Sequence, residues 1–112
     1  MKRIALSLHK TWSLSDWESI ALGKAHIVLD SESQQRVVAN RQALLNRMAQ
    51  GDTMYGINTG FGSLCTTRIA NEELAALQAN LIRSHAAGTG PLVGPELVRL
   101  MLACKVKALC QG

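Results

Sequence analysis

Apolar side chains alternate with smaller or more polar ones at the start of the chain, where Ile4, Leu6 and Leu8 are each separated by one residue. A period of two is typical of a strand with one buried face, so this pattern predicts a short β-strand. A second β-prone run, His-Ile-Val-Leu, occupies positions 26–29. We expect the two runs to pair in a small sheet.

A short helix is predicted between these two runs. Ser15 and Glu18 have the S-x-x-E spacing of a capping box, in which each side chain bonds to the backbone of the other residue. Gly23 is expected to end the helix, because glycine readily adopts the left-handed conformation found just after helix C-termini. The side chains expected to face inward are Trp17, Ile20 and Ala21.

A longer helix is predicted to open at Asp30-Ser31, where Ser31 and Gln34 form a second capping-box pattern. Gly51 is expected to end it. Its predicted face follows the 3-4 spacing of a helix and consists of Val37, Val38, Leu44, Leu45 and Met48, with Arg41 along the edge.

A third helix is predicted to be capped by Asn71, with Glu72 and Glu73 in its first turn near the positive end of the helix dipole. At 3.6 residues per turn, one narrow stripe of this helix contains Leu74, Leu77, Leu81 and His85. Glycines and a proline at positions 88–91 should break it.

The last predicted helix has proline at its first position, in the sequence Gly-Pro-Glu at 94–96. It is apolar around most of its circumference from 97 to 110, a pattern typical of a helix buried on several sides. A chain of 112 residues cannot cover such a helix fully. We therefore predict a mainly α fold with a small β element near the start, in which residues 1–112 form a single partial domain.

The composition also indicates that the chain expects partners. Apolar residues make up 47% and charged residues only 18%, below the usual quarter for a soluble domain. The partners could be more of its own polypeptide or other subunits. The net charge of +4 is spread along the chain without a basic stripe, so nucleic-acid binding is disfavoured.

Cysteine and histidine spacing favours neither a disulfide nor a metal site. Cys104 and Cys110 are six residues apart on one predicted helix and cannot bridge each other, and no C-x-x-C occurs. Reduced thiols in a cytoplasmic protein are expected. The first apolar run ends at His9-Lys10, too short for a signal peptide, and no stretch is long enough to span a bilayer.

Three glycines lie within the eight residues YGINTGFG at positions 55–62. Glycine allows positive φ and a close approach of the backbone to other groups, so this loop is a candidate binding segment. It matches neither G-x-G-x-x-G nor the P-loop pattern, which disfavours a nucleotide cradle. A tight connector whose tyrosine ring simply packs against its neighbours is the alternative.

Tyr55 and His85 are the two candidates for chemistry. A histidine on an apolar helical stripe is often a hydrogen-bonded core residue, but His85 lies among the small residues of SHAAG at 84–88, which leave room for a pocket. A phenol holds its proton near neutral pH, so a tyrosine that acts as a base needs donors or a cation nearby. Backbone N–H groups of a glycine-rich loop could supply them.

These segments together resemble the amino-terminal part of the aromatic amino acid ammonia-lyases. The resemblance rests on YGINTGFG at 55–62, TRI at 67–69, LQ at 77–78 and SHAAG at 84–88, and it extends over nearly all of the chain. Ser84-His85 is similar to the histidine ammonia-lyases in particular. Phenylalanine-type members usually carry other residues there, and tyrosine-type members usually place the histidine where Ser84 stands.

The resemblance implies a role for each matching residue. Tyr55 would be the base that removes a β-proton, the backbone of Gly62 would lie against the substrate, and His85, beside Ser84, would meet the substrate side chain. The implied reaction is the loss of ammonia from L-histidine to give urocanate. The expected geometry is a phenol at 55 held by glycine-lined backbone beside the imidazole at 85.

The family also implies a cofactor and an assembly. Its electrophile is a methylidene-imidazolone (MIO) made from an Ala-Ser-Gly triplet, and no such triplet occurs in this sequence. The full-length protein is expected to be a cytoplasmic homotetramer without nucleic-acid, membrane or metal partners. The electrophile-bearing and tetramer-core regions would lie outside these residues, so the chain alone is expected to be inactive.

Several alternatives remain open at this point. The same loop is compatible with a tyrosine or phenylalanine ammonia-lyase, or with an aminomutase that moves the amino group from the α to the β carbon. A non-catalytic helical module would instead use its apolar last helix as an association surface.

Overall fold

The computed structural model describes residues 1–111 and confirms a mainly helical chain with a small sheet near its start. The elements are β1 (Lys2–Leu6), α1 (Leu14–Ala21), β2 (Ala25–Leu29), α2 (Ser31–Ala49), α3 (Leu74–His85) and α4 (Pro95–Leu109), with 3₁₀ turns at Gly62–Leu64 and Asn71–Glu73. The chain divides into two compact units, and the division falls within α2. The first unit contains Met1–Ala43 and the chain from Pro91 onwards, and the second is Leu44–Gly90. The expected single partial domain stays a prediction.

The two predicted strands form a two-stranded parallel sheet, with Ile4 opposite Ile27 and Leu6 opposite Leu29. Parallel neighbours need a crossover connection, and α1 supplies it. Ile4 and Leu6 are each 1% exposed. The alternation therefore predicted Ile4 and Leu6 on the buried face of β1 correctly, whereas Leu8 lies beyond the end of the strand.

The N-cap of α1 is Ser13, so the prediction of Ser15 was wrong. The Ser13 hydroxyl accepts from the backbone N–H of Asp16, and the Asp16 carboxylate accepts from the backbone N–H of Ser13 at 2.9 Å. This is a reciprocal capping box that begins two residues earlier than expected. The side chain of Lys2, on β1, also pairs with Asp16 at 2.8 Å. Gly23, with φ +68°, ends the helix as predicted.

The start of α2 differs from the prediction in a similar way. Ser31 is the first helical residue, and the preceding Asp30 provides the cap through its carboxylate, which accepts from the backbone N–H of Ser33 at 2.8 Å. A carboxylate at this position satisfies one of the unpaired donors of the first turn. This hydrogen bond from the Ser33 backbone N–H is the main reason that the pKa of Asp30 is lowered below its usual value.

The core of the first unit is small and aliphatic except for the Trp12 indole and the Cys110 thiol. Its buried members are Ile4, Leu6, Trp12, Ile20, Ala103 and Cys110. The indole N–H of Trp12 donates to the carbonyl of Ala5 at 2.9 Å, and the ammonium of Lys107 lies 4.7 Å from the centre of the Trp12 ring. These contacts attach α4 to the strand side of the unit.

Helix α4 begins at Pro95 as predicted and remains largely uncovered. Only Ala103 is buried among its residues. Leu97, Met101, Leu102 and Leu109 are each more than half exposed. We expected that a chain of this length would not cover its apolar last helix fully, and residues 1–111 confirm this.

In the second unit, α3 begins at Leu74, after the 3₁₀ turn, and Asn71 makes no side-chain cap. The prediction of an Asn71 cap was therefore wrong. Leu74, Leu77 and Leu81 are partly buried, as expected for one stripe, whereas His85 at the end of that stripe is exposed. The helix ends before Gly88, as predicted.

Candidate functional site

The glycine-rich loop of the second unit is held in shape by its own side chains. Asn58 is 1% exposed, and its carboxamide accepts from the backbone N–H of Met54 and donates to the carbonyl of Asp52, both at 2.8 Å. Backbone bonds join Gly60 N–H to the Thr67 carbonyl at 2.9 Å and Ile69 N–H to the Asn58 carbonyl at 2.9 Å. The loop is thus a folded element with an asparagine at its centre.

Glycine is favoured at two positions of the loop, Gly60 and Gly62, for different structural reasons. A Cβ added at Gly60 would lie 2.7 Å from both the Cβ and the carbonyl oxygen of Leu64, so the close backbone approach expected of this loop is made here to the loop itself. Gly62 has φ +57°, a conformation that favours glycine, and a Cβ there would meet nothing within 4 Å. Gly62 therefore presents an open backbone surface, and its place against a substrate stays a prediction.

Tyr55 stands at the exposed mouth of the loop. Its side chain is 66% exposed, and its ring packs edge-to-face on Phe61 with 5.8 Å between ring centres and 71° between ring planes. Within residues 1–111 the Tyr55 hydroxyl has no hydrogen-bond partner. Several of the backbone N–H groups that could face this hydroxyl bond to other carbonyls instead, for example that of Ile57 to the Met54 carbonyl at 3.1 Å.

His85 is the last residue of α3, and its ring turns back onto the helix. Nδ1 lies 2.8 Å from the Leu81 carbonyl oxygen and 3.1 Å from the hydroxyl of Ser84, which itself donates to the same carbonyl at 2.9 Å. A carbonyl can only accept, so the contact with Leu81 suits the tautomer that has its proton on Nδ1. In that neutral tautomer the other nitrogen, Nε2, is an acceptor. The contacts with Leu81 and Ser84 also set the direction of the imidazole.

Gln78 connects the loop to α3. Its Nε2 donates to the carbonyl of Gly56 at 3.0 Å, with a longer contact of 3.4 Å to the carbonyl of Ile57. Gln78 and His85 are seven residues apart in one helix, so they share a face about 10 Å apart along the axis. Sequence reasoning used Gln78 only as part of a resemblance and gave it no role. The signal available was its i, i+7 spacing from His85.

The structure therefore brings some of the predicted site residues together directly and others only through a connecting residue. Ser84 and His85 are in contact. Gly62 is the next residue in sequence after Phe61, and the ring of Phe61 packs against the ring of Tyr55. In the described part of the chain, Tyr55 and His85 make no hydrogen bond to each other. Both belong to the second unit, where Gln78 links the loop of one to the helix of the other. Their predicted roles stay predictions.

Across residues 1–111, no cluster of three or more His, Cys, Asp or Glu side chains is placed to bind a metal ion. No helix in that range combines the length and the hydropathy needed to cross a membrane. Cys65, Cys104 and Cys110 are unbridged.

Comparison with known proteins identifies the family. The sequence model described as aromatic amino acid lyase matches residues 12–112. A histidine ammonia-lyase of Sorangium cellulosum is 42% identical over 108 residues, which cover 94% of this chain and 21% of the relative. The chain thus spans about a fifth of the length of this relative.

Solved structures agree with this assignment. A histidine ammonia-lyase from Trypanosoma cruzi is similar with a TM-score of 0.74 and 39% identity, over 88% of this chain and 19% of that one. The ergothioneine-degrading enzyme ergothionase from Treponema denticola has a TM-score of 0.89 and 28% identity, over 99% of this chain and 22% of that one. The chain belongs to the aromatic amino acid lyase family.

Proposed function

We propose that this chain forms the amino-terminal part of a histidine ammonia-lyase, which converts L-histidine to urocanate and ammonia. The observation that carries the proposal is the Tyr55 phenol, exposed and free of hydrogen bonds on a loop whose other polar groups are largely paired. Its hydroxyl would give up no internal hydrogen bond when it meets a substrate. The 42% identity to a histidine ammonia-lyase supports the choice of substrate.

Tyr55 would act as the base. It would take a proton from the β carbon of the substrate, the C–H electron pair would form the double bond, and the amine would leave as ammonia. A base must lie within reach of the proton that it removes, and it must itself be deprotonated. The loop serves the first need by packing the Tyr55 ring against Phe61 and by tying the next residue, Gly56, to Gln78. Donors for the phenolate would come from outside the described loop.

His85 would recognise the imidazole of the substrate. With Nδ1 bound to the Leu81 carbonyl, the neutral ring offers Nε2 as an acceptor, which complements an imidazole N–H and has no partner in a phenyl ring. A site built to pair a polar group discriminates strongly against analogues that lack it. Ser84 would hold His85 in this orientation, and the open backbone of Gly62 would border the substrate.

The electrophile of the family does not come from this sequence. The 112 residues contain no Ala-Ser-Gly triplet, so the residues present do not form the methylidene-imidazolone group. In the proposal that group would be supplied by other parts of a homotetrameric enzyme and would withdraw electrons from the substrate. The three unbridged cysteines fit a reducing compartment, and a cytoplasmic location is part of the proposal.

The test is an assay of the full-length gene product with L-histidine, in which ultraviolet absorbance follows urocanate. Parallel reactions with L-tyrosine and L-phenylalanine, and analysis of each product, separate a lyase from an aminomutase. Urocanate from histidine supports the proposal. Deamination of tyrosine or phenylalanine alone, or a β-amino acid as the product, refutes it.

A further inference from the structure

We propose that Gln78 is a positioning residue that sets where the Tyr55 phenol lies relative to the His85 imidazole. The inference rests on the proposed function, since it gives Tyr55 and His85 their roles in one site. Gln78 is distinct from both, because its carboxamide is bound to backbone and reaches no reacting atom in this arrangement.

The contact lies directly beside Tyr55 in the chain. Nε2 of Gln78 donates to the carbonyl of Gly56, the residue after Tyr55, and lies within 3.4 Å of the next carbonyl, that of Ile57. A carboxamide NH₂ has two protons and can serve both acceptors. Gly56 has φ +77°, so the turn that carries Tyr55 is bent at the residue that Gln78 holds.

The loop transmits this anchoring because it is internally rigid. Asn58 joins Met54 and Asp52 on one side of the turn, and backbone bonds join Gly60 to Thr67 on the other. A hydrogen bond at Gly56 therefore acts on the turn as a unit. The Arg68 guanidinium also bonds to the loop, but at the Gly51 carbonyl, four residues before Tyr55.

Helix α3 then relates this anchor to His85. Gln78 and His85 lie on one face of a continuous helix, so their separation is fixed at about 10 Å along the axis. Gln78 attaches the loop to one point on that face, and His85 stands at another. The distance between the phenol and the imidazole then depends on the Gln78 bond more than on any contact between the two rings.

The first arm of the test uses the 112-residue chain. Tyr55 is its only tyrosine, so incorporation of 3-fluorotyrosine gives one fluorine resonance that reports on this ring alone. Gln78→Met keeps the length of the side chain and removes its donor. The matched control, Gln35→Met, makes the same change on the exposed surface of α2. Gln78→Glu, which keeps the shape and replaces the donor by an acceptor, serves as a second variant.

We expect the Tyr55 resonance to shift in both Gln78 variants and to stay in place in the control, with the helical circular dichroism of all three unchanged. A resonance at the same position in all of them would overturn the proposal. If one of the two Gln78 variants loses its helical circular dichroism, the other variant decides the result.

The second arm uses the full-length protein and histidine. A displaced base affects the chemical step, so Gln78→Met should lower kcat by about tenfold to about a hundredfold with little change in KM. Wild-type kcat in this variant would contradict a positioning role. If the wild-type protein forms no urocanate, the proposed function fails, while the fluorine arm still decides whether Gln78 positions Tyr55.

Discussion

Gln78 and Gly56 are 22 residues apart in sequence and are joined by one hydrogen bond of 3.0 Å. Through it, a helix that ends at His85 holds a loop that begins at Tyr55. The bond connects an exposed loop to a helix, and the rings of both candidate residues, Tyr55 and His85, are open to solvent.

The cap of α1 gives a direct test of the local structure. Ser13→Ala removes the hydroxyl that accepts from Asp16 N–H and should destabilise the chain by about 1 kcal/mol. Ser15→Ala is the matched control, because the Ser15 side chain takes no part in the cap, and it should change the unfolding free energy by less than about 0.5 kcal/mol. Urea unfolding followed by circular dichroism measures both. Equal effects of the two substitutions would contradict the assignment.

Gly60 should be intolerant of any side chain. A Cβ would sit 2.7 Å from the carbonyl oxygen of Leu64, so Gly60→Ala forces the backbone apart and should cost about 1–3 kcal/mol. Gly88→Ala places a methyl group in open space and should be nearly neutral. Thermal unfolding of the two variants beside the parent chain measures the difference. A stable Gly60→Ala protein would show that the loop is looser than described.

Acid should weaken the first unit through Asp16. The Lys2 ammonium, followed by the backbone N–H and hydroxyl of Ser13, lowers the pKa of Asp16 from 3.8 to about 2. A folded-state pKa below the unfolded value contributes stability that is present above about pH 4 and is lost as the pH falls towards 2. Asp16→Asn should reduce stability at neutral pH and flatten its decline over that range. Urea unfolding between pH 6 and pH 2 measures the slope, and an unchanged slope in the variant would refute the role of Asp16.

His85 should govern substrate recognition in the full-length enzyme. His85→Leu removes the Nε2 acceptor while keeping an apolar side chain, so kcat/KM for histidine should fall by about tenfold to about a hundredfold. Ser84→Ala leaves the Leu81 carbonyl to orient the ring and should have a smaller effect. Steady-state kinetics with histidine separates them. A larger loss in Ser84→Ala would reverse the roles given to the two residues.

The regular elements could be predicted from sequence because they depend on local patterns. The alternation of Ile4 and Leu6, the glycine stop at Gly23 and the proline start at Pro95 each specify a structure by themselves. The cap of α1 could not be chosen this way. Ser13 with Asp16 and Ser15 with Glu18 are overlapping patterns. The first also gains the ion pair with Lys2, which lies far away in sequence.

Glycine spacing and small neighbours indicated Tyr55 and His85 as candidates from the sequence, and their roles stay predictions. Their connections could not be predicted in this way. The buried carboxamide of Asn58 and the bond from Gln78 to Gly56 depend on how the loop folds back on itself and on α3. Several of the loop N–H groups, such as those of Ile57 and Gly60, bond within the second unit, a pairing that only the folded backbone shows.

The most direct test of the account is the rate of urocanate formation by the full-length protein and its Tyr55→Phe variant. The Tyr55 hydroxyl has no hydrogen bond among residues 1–111, so its removal from the 112-residue chain should change the free energy of unfolding by less than about 0.5 kcal/mol. Loss of the base should lower kcat by about a hundredfold or more. A Tyr55→Phe enzyme that forms urocanate at the parent rate would contradict the account.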